Sequence, residues 1–265
     1  MTSRHSRTLL LTCALMLPLM AAAADIRILG VQEPPGSFAS ENGTPRGISV
    51  DYVREIQKRV GNSDPILIVP ETEALTAARL QPNVVAFSFS RTNEREDQFH
   101  WIAHVFRKPW VLYVRKDSAL KVASIEDMRK ATSIGVTEGD VRALWLQKQE
   151  FSNLVPVAEP EQNIANLLAG KVEAIFFEPQ GVAFYCRKLR CPKGELVNIY
   201  SPRSSEVYIL MSRGTPEATV RKWKDAAAQI RTDGTFAKMA EKWVLKSALD
   251  YGIDSTVRDG VLIFR

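Results

Sequence analysis

FSFSRTNEREDQF, residues 87–99, continues an apolar run that begins at Val84 and Val85, then breaks into Ser88, Ser90, Arg91, Thr92 and Arg95. Hydroxyls and guanidinium groups gathered where a buried strand ends are the groups that meet an anion, because a guanidinium offers a planar fork that matches a carboxylate in two charge-assisted hydrogen bonds. If the run is a strand of a parallel sheet, these side chains stand where such sheets present ligands, at the carboxyl ends of the strands. The competing reading is a solvated turn on which Arg95 pairs with Glu94, Glu96 or Asp97.

Outward from this stretch the chain alternates. Strand-like runs are IRILGV, PILIVP, NVVAFSF, WVLYVRK, TSIGV, LVPV, VEAIFF and VYILMSR, most of them apolar on both faces, as strands covered by helices are. Helical spacing lies between them: Val50, Val53, Ile56 and Val60 stopping at Gly61; Val141, Leu144, Trp145 and Lys148; Ile164, Leu167 and Leu168 before Gly170. Thr215 and Pro216 read as the N-cap and first turn of a helix carrying Val220, Trp223, Ala227 and Ile230, closed by Asp233-Gly234, and a second helix follows with Phe236, Met239, Ala240 and Trp243 on one face. No repeat, low-complexity tract or Pro/Gly-rich linker marks a boundary. The pattern predicts a doubly wound α/β architecture.

The first residues have the layout of a secretory signal: Arg4, His5 and Arg7, an apolar run from Leu9 to Met20, and four alanines before Asp25. Cleavage is expected after Ala24, since the run is shorter than the roughly 20 apolar residues that cross a bilayer. Thr12 before Cys13 speaks against a lipid anchor there. Export then leaves 33 basic and 30 acidic residues, and no basic block of the kind that nucleic acid requires. The processed chain keeps Cys186 and Cys191, which in an oxidising compartment are expected to pair, two free thiols being the alternative. Two cysteines without nearby histidines do not make a structural zinc site. His100 and His104, spaced to share one face of a helix, define no metal site either, and no metal or cofactor is expected.

Several segments in order resemble the periplasmic (extracellular) solute-binding proteins of family 3, the polar amino acid ABC-transporter type: GTPRGISVDYVREIQKRVG (43–61), SFSRTNEREDQFHWIAHVF (88–106), TSIGVTEGD (132–140), AGKVEAIFFEP (169–179) and IRTDGTFAKMAEKWV (230–244). The resemblance implies a two-lobed, Venus-flytrap α/β fold, each lobe a mostly parallel sheet flanked by helices. Lobe one would be 25–109 plus 204–265 and lobe two 110–203, joined by two crossings, with ligand in the cleft. It implies also that Ser88, Ser90, Thr92 and Arg95 face the ligand, Arg95 binding a carboxylate. Glu178 matches an aspartate that binds the ligand ammonium; the other reading makes it the cap of a helix starting near Pro179. Gln32 and Glu33 belong to the first ligand loop, and Arg91 stands where the family has an apolar residue.

Two departures bear on the ligand. Where relatives place Gly followed by Thr or Ser at a lobe-two helix start, this chain has Gly139-Asp140-Val141, and an aspartate there satisfies helix amides itself or repels an anion. Pro35 stands where an aromatic often stacks on the bound side chain. Phe99, Trp101, Phe106 and Trp110 either line the cleft or, more commonly for such residues, pack in the core. The expected function is capture of a small charged solute in the periplasm, amino-acid-like or a carboxylate, by a monomer that hands it to an inner-membrane ABC permease. A sensory module with a sensor partner, and a periplasmic dehydratase-like enzyme using Glu33, Glu178 or Asp140, are the alternatives. No catalytic dyad is apparent.

Overall fold

The computed structural model describes residues 25–265. The expected leader over 1–24, with Cys13, lies outside the described residues. In chain order the elements begin with β1 (Arg27–Val31), the short hairpin β2 (Phe38–Ala39) and β3 (Pro45–Arg46), α1 (Ile48–Val60), β4 (Ile66–Val69), α2 (Glu71–Leu80), β5 (Val84–Ser90) and β6 (Phe99–Arg115). They continue with α3 (Ile125–Met128), β7 (Ile134–Thr137), α4 (Val141–Lys148), β8 (Leu154–Val157), α5 (Pro160–Leu168), β9 (Ala174–Phe177) and α6 (Pro179–Leu189). The chain ends with β10 (Leu196–Ser212), α7 (Glu217–Thr232), α8 (Thr235–Tyr251), β11 (Ser255–Arg258) and β12 (Val261–Phe264).

Apart from the β2–β3 hairpin, the strands share one sheet whose main path runs β4-β1-β5-β10-β6-β9-β7-β8, with β11 and β12 attached through β12 to β6. At one end β1 runs parallel to β4 and β5, and at the other β7 runs parallel to β8 and β9. Between them β6 and β10, 17 residues each, pair antiparallel from Leu196↔Arg115 to Ser212↔Phe99. The apolar cores divide along these two strands. Residues up to Phe106 and from Val207 onward build one pair of clusters, whereas Trp110 to Val114 join clusters drawn from α3 to α6 and from Ile199 and Tyr200. At the changeover the sheet narrows, because β12 meets β6 only at Phe106 and Arg107, β9 joins it only from Val111, and β5 leaves β10 at Val207.

The predicted helices form where their periodicity places them. Val50, Val53, Ile56 and Val60 of α1 are buried, and Gly61 ends it in the left-handed region at φ 68°. At its start Gly47 has φ 127°, and a Cβ there would lie 2.2 Å from the Gly36 carbonyl oxygen, so only glycine fits. Other readings are corrected. α2 was not anticipated, since its buried face is three alanines and Leu75, a weak apolar signal. α7 starts one residue late, with Pro216 at the cap position, because the Thr215 hydroxyl instead accepts from the Asn83 amide at 3.0 Å. His100 and His104 lie on β6 rather than on a helix; the His104 ring stacks on Tyr208 and its Nε2 is 2.6 Å from Glu206. Phe99, Trp101, Phe106 and Trp110 all pack in cores.

Candidate functional site

The ends of β1, β5, β7 and β9 converge on a cavity of about 620 Å³. One wall is Gln32, Glu33, Ser88, Ser90 and Arg95 with Glu71 from the start of α2; the other is Asp140 and Arg142 from the start of α4, with Glu178 and Tyr185, and Lys108 lies where β6 crosses.

Arg95 follows β5 because the chain turns back at once: its amide donates to the Thr92 carbonyl at 3.0 Å and a 3-10 turn begins at Glu96. The side chain is buried at 9 % exposure and its guanidinium lies 5.8 Å from the Phe89 ring centre. Its two polar contacts, Nη1 to the Ser90 carbonyl and Nη2 to Glu71, are both 3.5 Å. Charge-assisted bonds ordinarily close to about 2.7–2.9 Å, so the fork is only loosely held.

Ser88 makes the bend that delivers these groups. Phe87 pairs with Ile209 and Phe89 with Tyr208, leaving Ser88 as a bulge at φ 69°. Its hydroxyl belongs to a buried chain, 3.0 Å from Ser49 and 2.8 Å from Ser37, whose hydroxyl donates to the Val31 carbonyl at 2.6 Å. Ser90 is buried, and its hydroxyl has no hydrogen-bond partner among the described residues. Gln32 lines the cavity while its Oε1 accepts from the Ala39 amide at 3.1 Å. Thr92 is not brought to this site: beyond the turn it lines a second cavity, its hydroxyl drawn to Glu94. Arg91 is likewise turned away, held by Glu96 with Nε to Oε2 at 2.7 Å.

On the facing wall Asp140 is the N-cap of α4, accepting from the Arg142 amide at 2.7 Å. The same carboxylate takes the Arg142 guanidinium in a two-pronged pair, Nε at 2.7 Å and Nη2 at 2.8 Å. Burial works to raise the Asp140 carboxyl, but the Arg142 charge and hydrogen bonds outweigh it and hold the group below the usual range. The other edge of Arg142 faces Glu178, and its plane lies over Phe177 at 4.4 Å. Glu178 stands at the N-cap of α6 without bonding its amides, so the helix-cap reading does not describe its side chain. The helix end that would greet an anion is occupied by the chain's own carboxylate.

Glu71, Lys108 and Arg142 were missed from sequence. Lys108 is buried and paired with Glu33. Although 42 % of the Glu71 side chain is accessible, the cleft walls enclose it. Burial pushes its carboxyl up, Asp140 and Glu33 add to this, and Arg95 and Lys108 oppose it. The cavity thus sets Glu33, Glu71, Asp140 and Glu178 against Arg95, Lys108 and Arg142, an excess of acid that the rim residues Glu138 and Glu159 enlarge. Tyr185, pushed up to about 12 chiefly by burial, stays a neutral hydroxyl donor. The one signal for Arg142 was its position two residues after an N-cap aspartate, and for Glu71 the acid-rich turn after Pro70. The Cys186–Cys191 disulfide forms at the end of α6, with Cα atoms 4.8 Å apart.

A sequence model of the bacterial extracellular solute-binding proteins, family 3, matches residues 26–246. The amino-acid-binding protein AabA of Dichelobacter nodosus is 20% identical over 213 residues, covering 79% of this chain and 83% of that protein. Among solved structures, a histidine kinase sensor domain with similarity to periplasmic binding proteins superimposes with a TM-score of 0.74 at 19% identity, covering 82% of this chain and 95% of that one. An ancestral arginine-binding protein bound to arginine gives 0.69 at 21% identity, covering 82% and 97%. The fold is that of the periplasmic binding proteins, and among the described residues no helix is long and apolar enough to cross a membrane.

Proposed function

We propose, from the premise that this chain belongs to the bacterial extracellular solute-binding proteins of family 3, that it captures a small amino-acid-like solute in its cleft and delivers it to an inner-membrane ABC permease. It does so in the periplasm, after loss of residues 1–24. The lobes are 25–109 with 204–265, and 110–203, an assignment supported by the change of core along β6 and β10.

The observation that carries the reading is Arg95, a buried guanidinium lining the cavity with both contacts at 3.5 Å, beside Ser90, which lines the same cavity. A ligand carboxylate gains two charge-assisted bonds there at little cost in broken ones. Glu71 supplies the matching acid for an amine, and the Asp140–Arg142–Glu178 group, with two acids to one base, favours a cation from the second lobe. Contacts from both walls to one solute favour the closed arrangement over the open one, which is all that capture requires. The three acids a dehydratase would draw on are each tied to a base, Glu33 to Lys108 and Asp140 and Glu178 to Arg142, which favours binding over chemistry.

A thermal-shift screen of the 25–265 chain against amino acids, polyamines, opines and small carboxylates finds the solute, since a ligand of the folded state raises apparent stability. Calorimetry on the best hit then compares the wild type with Arg95→Ala. Loss of two charged bonds weakens binding by about a hundredfold or more. Unchanged affinity removes Arg95 from the site.

A further inference from the structure

Arg95 and Val141 also line a second cavity between the lobes, of about 630 Å³, and among the described residues they alone are common to both. The Arg95 turn and the start of α4 therefore form a partition with space on either side. The floor of this second cavity is apolar: Val141, Leu144 and Trp145 of α4, with Trp110 of β6. Leu144 is 44% exposed, and Trp145 is backed by the Phe176 ring at 5.9 Å.

The rim is cationic. Arg91 is held by Glu96 and Lys148 by Glu94, which among the described residues is the one acid in the wall and is itself committed. Two guanidinium groups are not neutralised among the described residues. Arg79, at the end of α2, meets only the neutral Gln98 side chain at 2.9 Å, and Arg203 of β10 lies over the Trp110 and Trp145 rings at 4.7 and 5.5 Å. Trp110 is fully buried, but the guanidinium over the half-buried Trp145 marks that ring as a surface that flat groups can reach.

We propose that this second cavity is a binding site for a small aromatic carboxylate. Its ring packs on Leu144 and Trp145 or stacks on the Arg203 plane, and its carboxylate is drawn to the unneutralised charges of Arg203 and Arg79. The volume is in the range of small-molecule sites, about 300–1,000 Å³. An apolar floor disfavours a compact, fully hydrated polyanion, and the cationic rim disfavours amines. The site is separate from the cleft proposed for the transported solute and does not depend on that reading.

The probe is phenylacetate, titrated calorimetrically into the 25–265 chain with tryptophan fluorescence followed in parallel. The expected result is a dissociation constant at or below about 1 mM. Its cationic counterpart, 2-phenylethylamine, is expected not to bind. Arg203→Gln and Leu144→Glu, both at exposed positions lining only this cavity, each weaken phenylacetate by about tenfold or more. No heat or quench up to about 10 mM, equal binding of the amine, or full binding by both variants overturns the proposal.

Discussion

Replacing Arg142 by methionine tests the facing wall of the cleft. The side chain is 6% exposed and is the shared partner of Asp140 and Glu178, themselves 17% and 7% exposed. Methionine preserves much of the length and removes the charge, leaving two carboxylates buried together. Removing one partner of a buried ionic group costs about 3–5 kcal/mol, and for a chain of this size each kcal/mol lowers the melting temperature by about 2–4 °C. Urea unfolding at pH 7, with linear extrapolation, is expected to show a loss in that range and a melting point lower by roughly 10 °C. The pH dependence carries the mechanism. In the wild type the Asp140 carboxyl is held below its usual value, so its contribution is present above about pH 3.9, the unfolded value, and is lost as pH falls through the folded one. In the variant the guanidinium charge and its side-chain bonds are gone, and burial, the largest cause, is opposed only by Lys108 and the backbone amide of residue 142. The folded carboxyl is expected to rise above the unfolded value, so the penalty vanishes as the group protonates. The stability gap between the two proteins therefore narrows from pH 7 to pH 4. Adding Asp140→Asn and Glu178→Gln to the variant recovers most of the loss, because no uncompensated charge remains. A loss below about 1 kcal/mol, as for an exposed pair, or a gap that ignores pH, refutes the reasoning.

Glu71→Gln is expected to change how stability depends on pH. The folded Glu71 carboxyl is raised, so its favourable contribution is full below the unfolded value near about 4.3 and is lost as pH rises through the folded value. Melting curves from pH 4 to pH 7 therefore find the variant gaining on the wild type, and parallel curves end the claim that Glu71 is under-compensated. For the Cys186–Cys191 bridge, thiol titration of the unfolded, unreduced 25–265 chain yields no free thiol, and finding two means the cysteines do not pair. Reduction costs about 2 kcal/mol, the loop-closure entropy of so short a ring.

The sequence carried most of the fold because strands buried on both faces and helices with a three-to-four-residue apolar spacing leave strong marks. It failed where burial comes from small or polar-flanked residues. α2 hides its face behind Ala74, Ala77 and Ala78, and the first half of β6 interleaves His100, His104 and Arg107 with its apolar positions. The stretch around Arg95 pointed to a cleft from one wall. What it did not yield was the pairing, since which acid takes which base depends on distances that only the folded chain fixes. Ser88 and Thr92 illustrate this. Both are hydroxyls next to the same strand end, yet a bulge turns one into an internal hydrogen-bond chain and a tight turn carries the other into a different cavity.

The narrow stretch of the sheet relates these charges to movement between the lobes. From Lys108 to Trp110, β6 has β10 as its ladder partner and neither β12 nor β9, and opposite it β10 runs from Arg203 to Ser205 without β5. A two-stranded ribbon is the least restrained form of a sheet and takes the largest twist. Pro109 has no amide proton to give the ladder, and the register slips between Tyr200 and Arg203, across Pro202. Bending is cheapest there, because a ladder already interrupted loses few further bonds. Lys108 sits in that ribbon, buried and bound to Glu33 in the loop that lines the cavity after β1. A rotation of one lobe on the other thus strains a buried ion pair in the cleft as well as a backbone ladder. If the cleft captures a solute as proposed, contacts of that solute with Glu33 act on the Lys108 pair and hence on the ribbon that bends.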